Sequence, residues 1–337
     1  MSLLILLRHS PPRASEQAKQ QMRQNGLEYA GRLVHGGYQG FESLQLCDLR
    51  EVLLSSTHHN TKNGRLPYDL GAFDLDGTVL RRDLTITDAT VDALRELRER
   101  GMRLVVATGR RFEGARKHAE RLGFRGEDPV ICYGGSMVRR MDGETLLHHT
   151  VPKDLSIEVL EWAAQKGLHA RVFTDGKIIV SPETPAALRH LANREPDVEV
   201  VESPADWLRD GGEEPTKLVI VDHPADVPSW LDEAQRTFSG CLFVTRSLPH
   251  YVEVGVLKGT KAAALKFLCE SWGIEPARTL AFGDADNDVD MLVFAGLGVA
   301  VGGMSEEVRA AADAVAPPMS KDGVASFVRG LIEEEGS

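Results

Sequence analysis

The sequence predicts a doubly wound α/β fold: a parallel, Rossmann-like sheet interrupted by an inserted α+β domain. Three observations carry that expectation. From Tyr68 onward, short apolar runs alternate with amphipathic helical stretches over short connections. That rhythm stops near residue 150 and resumes near residue 248. The predicted core strands end in, or lead into, aspartate, threonine and lysine, at the edge where such sheets bind ligands.

The elements follow in order. "YDLGAFDL" reads as a buried strand. "TDATVDALRELRERG" reads as a helix begun by Thr87 or Asp88, with Val91, Leu94 and Leu97 inward and Gly101 at its stop. "MRLVVATG" is a strand, "FEGARKHAERLG" a helix closed by Gly123, and "PVICYGG" a third strand. Residues 69–150 are thus the first part of the core. Residues 151–247 mix helical stretches ("SIEVLEWAAQKG", "AALRHLANRE") with strands ("KIIVS", "TKLVIV") and more prolines, and form the inserted domain. Residues 248–337 return to the core with "YVEVGV", the helix "TKAAALKFLCESWG", the strand "TLAFGD", the helix "VDMLVFAG", the strand "LGVAV" and a terminal helix around "VASFVRGLIEEE".

Residues 1–68 differ from the rest. They carry a net charge of +3 against −14 for the remainder, and are rich in Gln, Asn, His and Ser with weak periodicity. "LLILLRHS" followed by "VLLSST" faintly resembles the start of a histidine phosphatase, but Ser10 follows His9 and the segment has no room for that family's remaining elements. The expectation is a disordered or poorly packed extension, dispensable for catalysis up to residue 66.

Bulk properties exclude several classes. With 337 residues the chain can hold two domains, and 42% hydrophobic with 26% charged residues is ordinary for a soluble globular protein. A net charge of −11 argues against a nucleic-acid surface but leaves room for a local basic pocket. The N-terminal run Leu3–Leu7 is too short for a signal-peptide core, and nothing approaches a span of about 20 apolar residues, so no membrane partner is expected. Cys47, Cys132, Cys241 and Cys269 lie far apart without CxxC spacing, which fits reduced thiols and a cytoplasmic location.

The chemistry sits at the strand ends. Asp74 and Asp76 share one side of an extended stretch, so their charges need an offset. The next strand leads into Thr108, Gly109 and Arg110; Lys258 or Lys261 opens the helix after "YVEVGV"; and "GDADND" supplies Asp284, Asp286 and Asp288. Carboxylates without His or Cys nearby suit a hard, oxygen-loving cation, of which Mg2+ is the usual one beside phosphate. With a divalent ion between Asp74 and Asp284, the work left for Asp74 is attack on phosphorus, with the Thr108 hydroxyl and the N–H groups of the turn at Gly77 on the phosphate. A calcium loop of the EF-hand type also begins D-x-D, but its closing Glu would fall at Thr85. Arg110 is as much a surface ion-pair residue as a substrate contact on this reading, and Asp286 and Asp290 read as helix N-terminal acids outside the catalytic set.

Together the four motifs "FDLDGTVL", "VVATGR", "EVGVLKGTKAAALKFL" and "AFGDADNDVDML", in that order, resemble the haloacid dehalogenase (HAD) superfamily of aspartate-nucleophile phosphatases, in its Cof-type branch with a type II cap. The resemblance covers about residues 70–335. It implies Asp74 as nucleophile and Asp76 as acid/base. It implies Thr108, Gly109 and Lys261 as phosphate-binding residues, Lys261 rather than Lys258 being the third-motif lysine. It also implies Mg2+ held by Asp74, the Asp76 backbone carbonyl, Asp284 and, directly or through water, Asp288. Tyr133-Gly134-Gly135 stands where the family often has Asn-Gly. The function so implied is a Mg2+-dependent phosphatase of a small phosphorylated metabolite, working as a monomer or homodimer. A phosphomutase is the alternative reading, and a non-catalytic phospho-ligand binding protein a more distant one.

Overall fold

The computed structural model describes residues 66–182 and 197–335, and their fourteen strands form two sheets. The first sheet holds β1 (Leu70–Phe73), β2 (Arg103–Ala107), β3 (Pro129–Cys132), β4 (Met137–Arg140), β5 (Thr145–His148), β12 (Thr279–Gly283), β13 (Leu297–Gly302) and β14 (Ala314–Pro318) in the order β14-β13-β12-β1-β2-β3-β4-β5. From β14 through β3 every pairing is parallel, while β4 and β5 add an antiparallel hairpin at one edge. The sequence reading did not anticipate that hairpin, although Asp142-Gly143 is a turn signal between its strands.

Strands β1, β3, β12 and β13 are buried almost throughout because both faces are covered, whereas β14 at the edge is largely exposed. Leu104, Val106, Phe73 and Phe282 pack beneath α1 (Asp88–Glu99), α2 (Phe112–Arg121) and α9 (Gly323–Glu335). Leu70, Ala72, Val105 and Ala281 pack beneath α6 (Lys261–Trp272), α7 (Val289–Phe294) and α8 (Glu306–Ala311). Phe73 of β1 stacks on Phe282 of the neighbouring β12 with ring centroids 5.1 Å apart. Helix α1 starts where expected: Thr87 caps it by accepting a hydrogen bond from Thr90 N–H, and Ala93, Leu94 and Leu97 are buried.

The second sheet holds β6 (His169–Phe173), β7 (Ile178–Val180), β8 (Val198–Val200), β9 (Lys217–Val221), β10 (Leu242–Thr245) and β11 (Tyr251–Val256), in the order β10-β11-β9-β6-β7-β8. One face buries Val172, Leu218, Ile220, Val252 and Val254 against α3 (Lys153–Gln165), α4 (Pro204–Arg209) and α5 (Val227–Thr237). The opposite face carries Arg171, Lys217 and Glu253, all nevertheless buried. Glu253 and Arg171 both stand opposite Val219 of β9, which puts them on one face, and Lys217 lies two residues from Val219 on that face.

Two boundaries differ from the sequence reading. The boundary at residue 247 cuts between β10 and β11, whereas Tyr251–Val256 pairs antiparallel with both β10 and β9 and belongs to the second sheet. Its alternation of Val252 and Val254 with Glu253 is that of a strand covered on one apolar face, unlike the continuous apolar runs of the first sheet. The extension of residues 1–68 is drawn too long, because Leu66 and Tyr68 are buried in the first core. Residues 1–65 and the predicted helix "AALRHLANRE" lie outside the described residues.

Leu66 is 1% exposed, so Leu66→Ala is expected to lower the unfolding free energy by about 2–5 kcal/mol. Urea denaturation checks this, and a loss below about 0.5 kcal/mol, the scale of a surface substitution, would remove Leu66 from the core.

Candidate active site

Three adjacent parallel strands deliver the central residues. Strand β1 lies between β12 and β2, with Phe73 in register with Phe282 and Val106. Asp74, Asp284 and Thr108 therefore leave the sheet side by side at its C-terminal edge, where the chain is released from strand pairing and side chains can converge.

Lys261 joins them from the first position of α6. Its side chain is fully buried, and Nζ donates to Asp74 Oδ1 at 2.6 Å and to Asp288 Oδ1 at 2.5 Å. The helix start is fixed three ways. Thr260 accepts from Ala263 N–H, Asp290 accepts from Ala262 N–H, and Gly135 lets the backbone of Thr260 come close. A Cβ at Gly135 would lie 2.1 Å from the Thr260 carbonyl, and its φ of +116° suits glycine. The departure at Tyr133-Gly134-Gly135 thus has a structural role, and Tyr133 Oη donates to the Thr174 carbonyl of the second domain.

The loop after β1 is wound around one carbonyl: Leu75 O accepts from the N–H groups of Thr78, Val79 and Leu80. Thr78 Oγ1 donates to Asp284 Oδ1 at 2.9 Å. Gly77, at φ +91°, leaves space for that carboxylate; a Cβ there would sit 2.1 Å from Asp284 Oδ2. Thr108 is buried, and its Oγ1 accepts from Arg110 N–H at 3.1 Å, which leaves its own hydroxyl hydrogen to donate.

Asp74, Asp284 and Asp288 each present an oxygen, all within 4.8 Å of one another. One ammonium faces three carboxylates, and the imbalance registers in their proton affinities. Burial, then Asp288, raises the Asp74 carboxyl well above its usual range despite Lys261. Burial and Asp288 likewise push Asp284 up to about 7, against the opposing hydrogen bond from Thr78. Burial alone would lower the Lys261 ammonium, but Asp288 and Asp74 more than offset it and hold it raised. The group fits a hard divalent cation, since the donors are carboxylate oxygens and one ammonium leaves three carboxylates with an excess of negative charge. Asp288 is the least available of the three: Oδ2 already accepts from Asp284 N–H and Ala285 N–H, and Oδ1 from Lys261.

The other residues singled out in the sequence sort as follows. The Asp76 side chain does not join the acidic group; Arg110 grips it through Nε and Nη2 at 2.7 and 2.6 Å. Lys258 is exposed. Asp286 pairs with Arg246 of the second domain at 2.7 Å, and the half-buried Asp290 anchors α6. Gly109 offers its carbonyl to Lys217 Nζ at 2.8 Å, and Lys217 also bonds Glu253 at 3.0 Å. Sequence reasoning missed Lys217, Glu253 and Arg246. For the first two a signal existed, a lone charge beside or within an apolar strand, which is rarely buried unless paired.

The chain is similar to known proteins over most of its length. Residues 72–328 match the haloacid dehalogenase-like hydrolase family. Phosphatase YwpJ of Bacillus subtilis is 28% identical over 77% of this chain and 99% of its own. A phosphoglycolate phosphatase of Methanopyrus kandleri is 32% identical over 77% and 96%. A haloacid dehalogenase-like hydrolase structure from B. subtilis superposes with a TM-score of 0.69 at 26% identity, over 77% of this chain and 99% of that one. The chain belongs to the haloacid dehalogenase-like hydrolases. Within them it is a Cof-type member and an enzyme of the phosphatase class that its named relatives share. No helix of the described residues is long and apolar enough to cross a membrane.

The raised carboxyls dictate a pH dependence for the metal-free protein. Unfolded aspartates titrate near pH 4, whereas Asp284 titrates at about 7 and Asp74 is raised as well. Across that window Asp74 and Asp284 bind more protons in the folded state, so their contribution to stability falls as pH rises from about 4 to about 7, while His118, held down to about 4 by burial, contributes in the opposite direction. Measured by urea midpoints in chelator, the gain in stability of Asp284→Asn relative to wild type should therefore grow as pH rises through that window, and Mg2+ should stabilise the wild type most at its upper end. A difference between the two proteins that is independent of pH between about 5 and 7 would contradict the account.

Proposed function

We propose that the protein is a Mg2+-dependent phosphatase of a small phosphorylated metabolite, a sugar phosphate being one candidate, acting through an aspartyl-phosphate on Asp74. One observation carries the reading. Asp74 has Oδ1 on the buried ammonium of Lys261, while no hydrogen-bond donor among the described residues reaches its Oδ2, at the strand edge it shares with Thr108. A carboxylate held at one oxygen and open at the other is arranged to attack.

In the first step Asp74 Oδ2 forms a bond to phosphorus as the bond to the leaving oxygen breaks, and Asp76 gives that oxygen its proton. In the second, water attacks the aspartyl-phosphate and gives a proton to Asp76. The phosphorus–Oδ2 bond breaks, and inorganic phosphate leaves with Asp74 restored. Thr108 donates its hydroxyl to the phosphoryl group, and Lys261 keeps Asp74 oriented while adding positive charge. Asp74 and Asp284, with Asp288 behind them and the Asp76 carbonyl, are the residues that would hold Mg2+. When bound, the ion supplies charge for the phosphoryl oxygens and offsets the repulsion of the carboxylates.

Hydrolysis is preferred to mutase chemistry because two cations of the covering domain are already engaged with carboxylates. Lys217 is on Glu253, and Arg246 of the adjoining loop is on Asp286. A phosphosugar that must bind in two orientations would call for free basic side chains there. The named activity of the M. kandleri relative, on a small phosphorylated acid, agrees with a compact substrate.

A screen of phosphorylated metabolites should release inorganic phosphate from at least one monophosphate, with no sugar bisphosphate required. Isomerised sugar phosphate without free phosphate would reverse the assignment to mutase. Asp74→Asn should abolish turnover with the fold intact by circular dichroism, because an amide oxygen cannot form the acyl-phosphate. Substantial activity in that variant would sink the mechanism. Chelation should stop the reaction and Mg2+ restore it, with Ca2+ a poor substitute because it favours looser, higher coordination. Full activity in metal-free buffer would contradict the metal requirement.

A further inference from the structure

The face of the six-stranded sheet that carries Arg171, Lys217 and Glu253 holds one acid in an uneven environment. Two donors converge on a single oxygen of Glu253: Lys217 Nζ at 3.0 Å and Ser247 Oγ at 2.5 Å both reach Oε1. No donor among the described residues reaches Oε2, although the side chain is only 9% exposed. A carboxylate oxygen withdrawn from water without a donor costs free energy. Neutralising Lys217 requires only Oε1, so the placement of Oε2 needs another reason.

That oxygen stands beside the catalytic edge. A Cβ built at Gly109 would lie 3.9 Å from Glu253 Oε2, 3.8 Å from Oε1 and 3.7 Å from Asn287 Nδ2. Those are ordinary contact distances, so glycine leaves a methyl-sized space bounded by β11, the turn after Thr108 and the loop of residues 284–288. In phosphoryl transfer the attacking and leaving oxygens lie roughly in line. Asp74 attacks from the end of β1, so the leaving group points away from the first sheet, and Glu253 borders the space on that side. Resting on the phosphatase reading, we propose that Glu253 is a specificity-determining residue: its Oε2 accepts a hydrogen bond from a hydroxyl of the leaving group, so that the site selects polyol and sugar monophosphates.

The chemistry of Oε2 narrows what it takes. An ionised carboxylate accepts hydrogen bonds and donates none, so the matching group must be a donor. Lys217 already supplies positive charge at 3.0 Å, which leaves a neutral hydroxyl as the fitting partner rather than a second ammonium. In the empty site solvent can satisfy Oε2, and a hydroxyl replaces that bond when the substrate enters. An alkyl group displaces the solvent and returns nothing, which is how a polar site rejects an analogue that lacks its hydroxyl. The plain alternative is a brace: Glu253 holds Lys217, and Lys217 holds the Gly109 carbonyl at 2.8 Å. A brace acts alike on every ligand of the phosphate site, whereas a hydroxyl contact discriminates between them.

The test therefore reads a ratio of affinities and requires no turnover. Two phosphonates, in which carbon replaces the ester oxygen, are titrated calorimetrically in the presence of Mg2+. One is dihydroxybutylphosphonate, with hydroxyls on its two terminal carbons, and the other is butylphosphonate. The proteins are wild type, Glu253→Gln and Lys217→Met/Glu253→Met, each checked for folding by thermal denaturation. The double variant keeps the volume and leaves no buried charge unpaired. It should lower the preference for the diol by about tenfold or more, the loss of a charge-assisted hydrogen bond. Glu253→Gln should lower it less, because an amide oxygen accepts more weakly than a carboxylate. Discrimination of this kind in a protein that releases no phosphate would support the contact and count against hydrolysis alone. A preference within about twofold of wild type in whichever of the two variants folds would overturn the proposal, as would failure of the wild type to bind either phosphonate.

Discussion

The site depends on one ammonium placed between buried carboxylates. Lys261 touches Asp74 and Asp288 at hydrogen-bond distance with no exposure to solvent. Without it three aspartate oxygens within 4.8 Å of one another would lose the ammonium that offsets their charge. Breaking such a buried pair by removing one partner typically costs about 3–5 kcal/mol, a large share of an ordinary domain's stability. Much of the neighbouring structure can be understood as support for that ammonium. Thr260 and Asp290 fix the first turn of α6, and Gly135 clears the space that Thr260 fills. Asp288 is in turn immobilised by two backbone N–H groups of the loop it follows.

The second domain enters this arrangement through polar contacts. Its helices cover one apolar face of the six-stranded sheet, and the other face buries Arg171, Lys217 and Glu253. Lys217 reaches the carbonyl of Gly109, and Arg246 reaches Asp286, so residues of the covering domain bond to the two loops that carry Thr108 and Asp284. Phe173 of β6 also packs against the first core, but an apolar contact by itself is indifferent to angle. Directional bonds to a carbonyl and to a carboxylate fix where the cover sits relative to the strand ends.

The parts of this architecture that were legible in the sequence were those with a local rule. Buried parallel strands must be apolar on both faces, so "LGAF", "RLVVA" and "TLAFG" stood out, and the aspartates and threonine that follow them could be assigned to one sheet edge. Two kinds of feature escaped. "YVEVGV" is assigned to the core because it precedes a core helix, although its alternation of Val252 and Val254 with Glu253 is that of a sheet with one apolar face. The pairing of Arg110 with Asp76 and of Lys217 with Glu253 depends on residues 34 and 36 positions apart, and no local rule links them. Leu66 illustrates a third limit. One leucine after a polar tract has no periodic context, so its burial follows only from the packed core.

The order of strands in the first sheet has a consequence for how the chain is made. Central strand β1 pairs on one side with β2, some thirty residues on, and on the other with β12, so that Asp69 and Arg278, 209 positions apart, are hydrogen-bonded at its end. The whole second domain lies between those partners in the chain. On a ribosome, β1 through β5 and then the entire six-stranded sheet emerge while one edge of β1 is still unpaired. An open apolar edge of this kind invites pairing with other chains. The second sheet needs no strand from beyond Val256, so it can close by itself and shorten the effective loop that β12 must span. Closure of so long a loop is slow even when its entropy penalty is modest, because that penalty grows only with the logarithm of length while the contacts that repay it come last. The interval between synthesis of Phe73 and of Phe282 is therefore the period in which the nascent chain most needs protection.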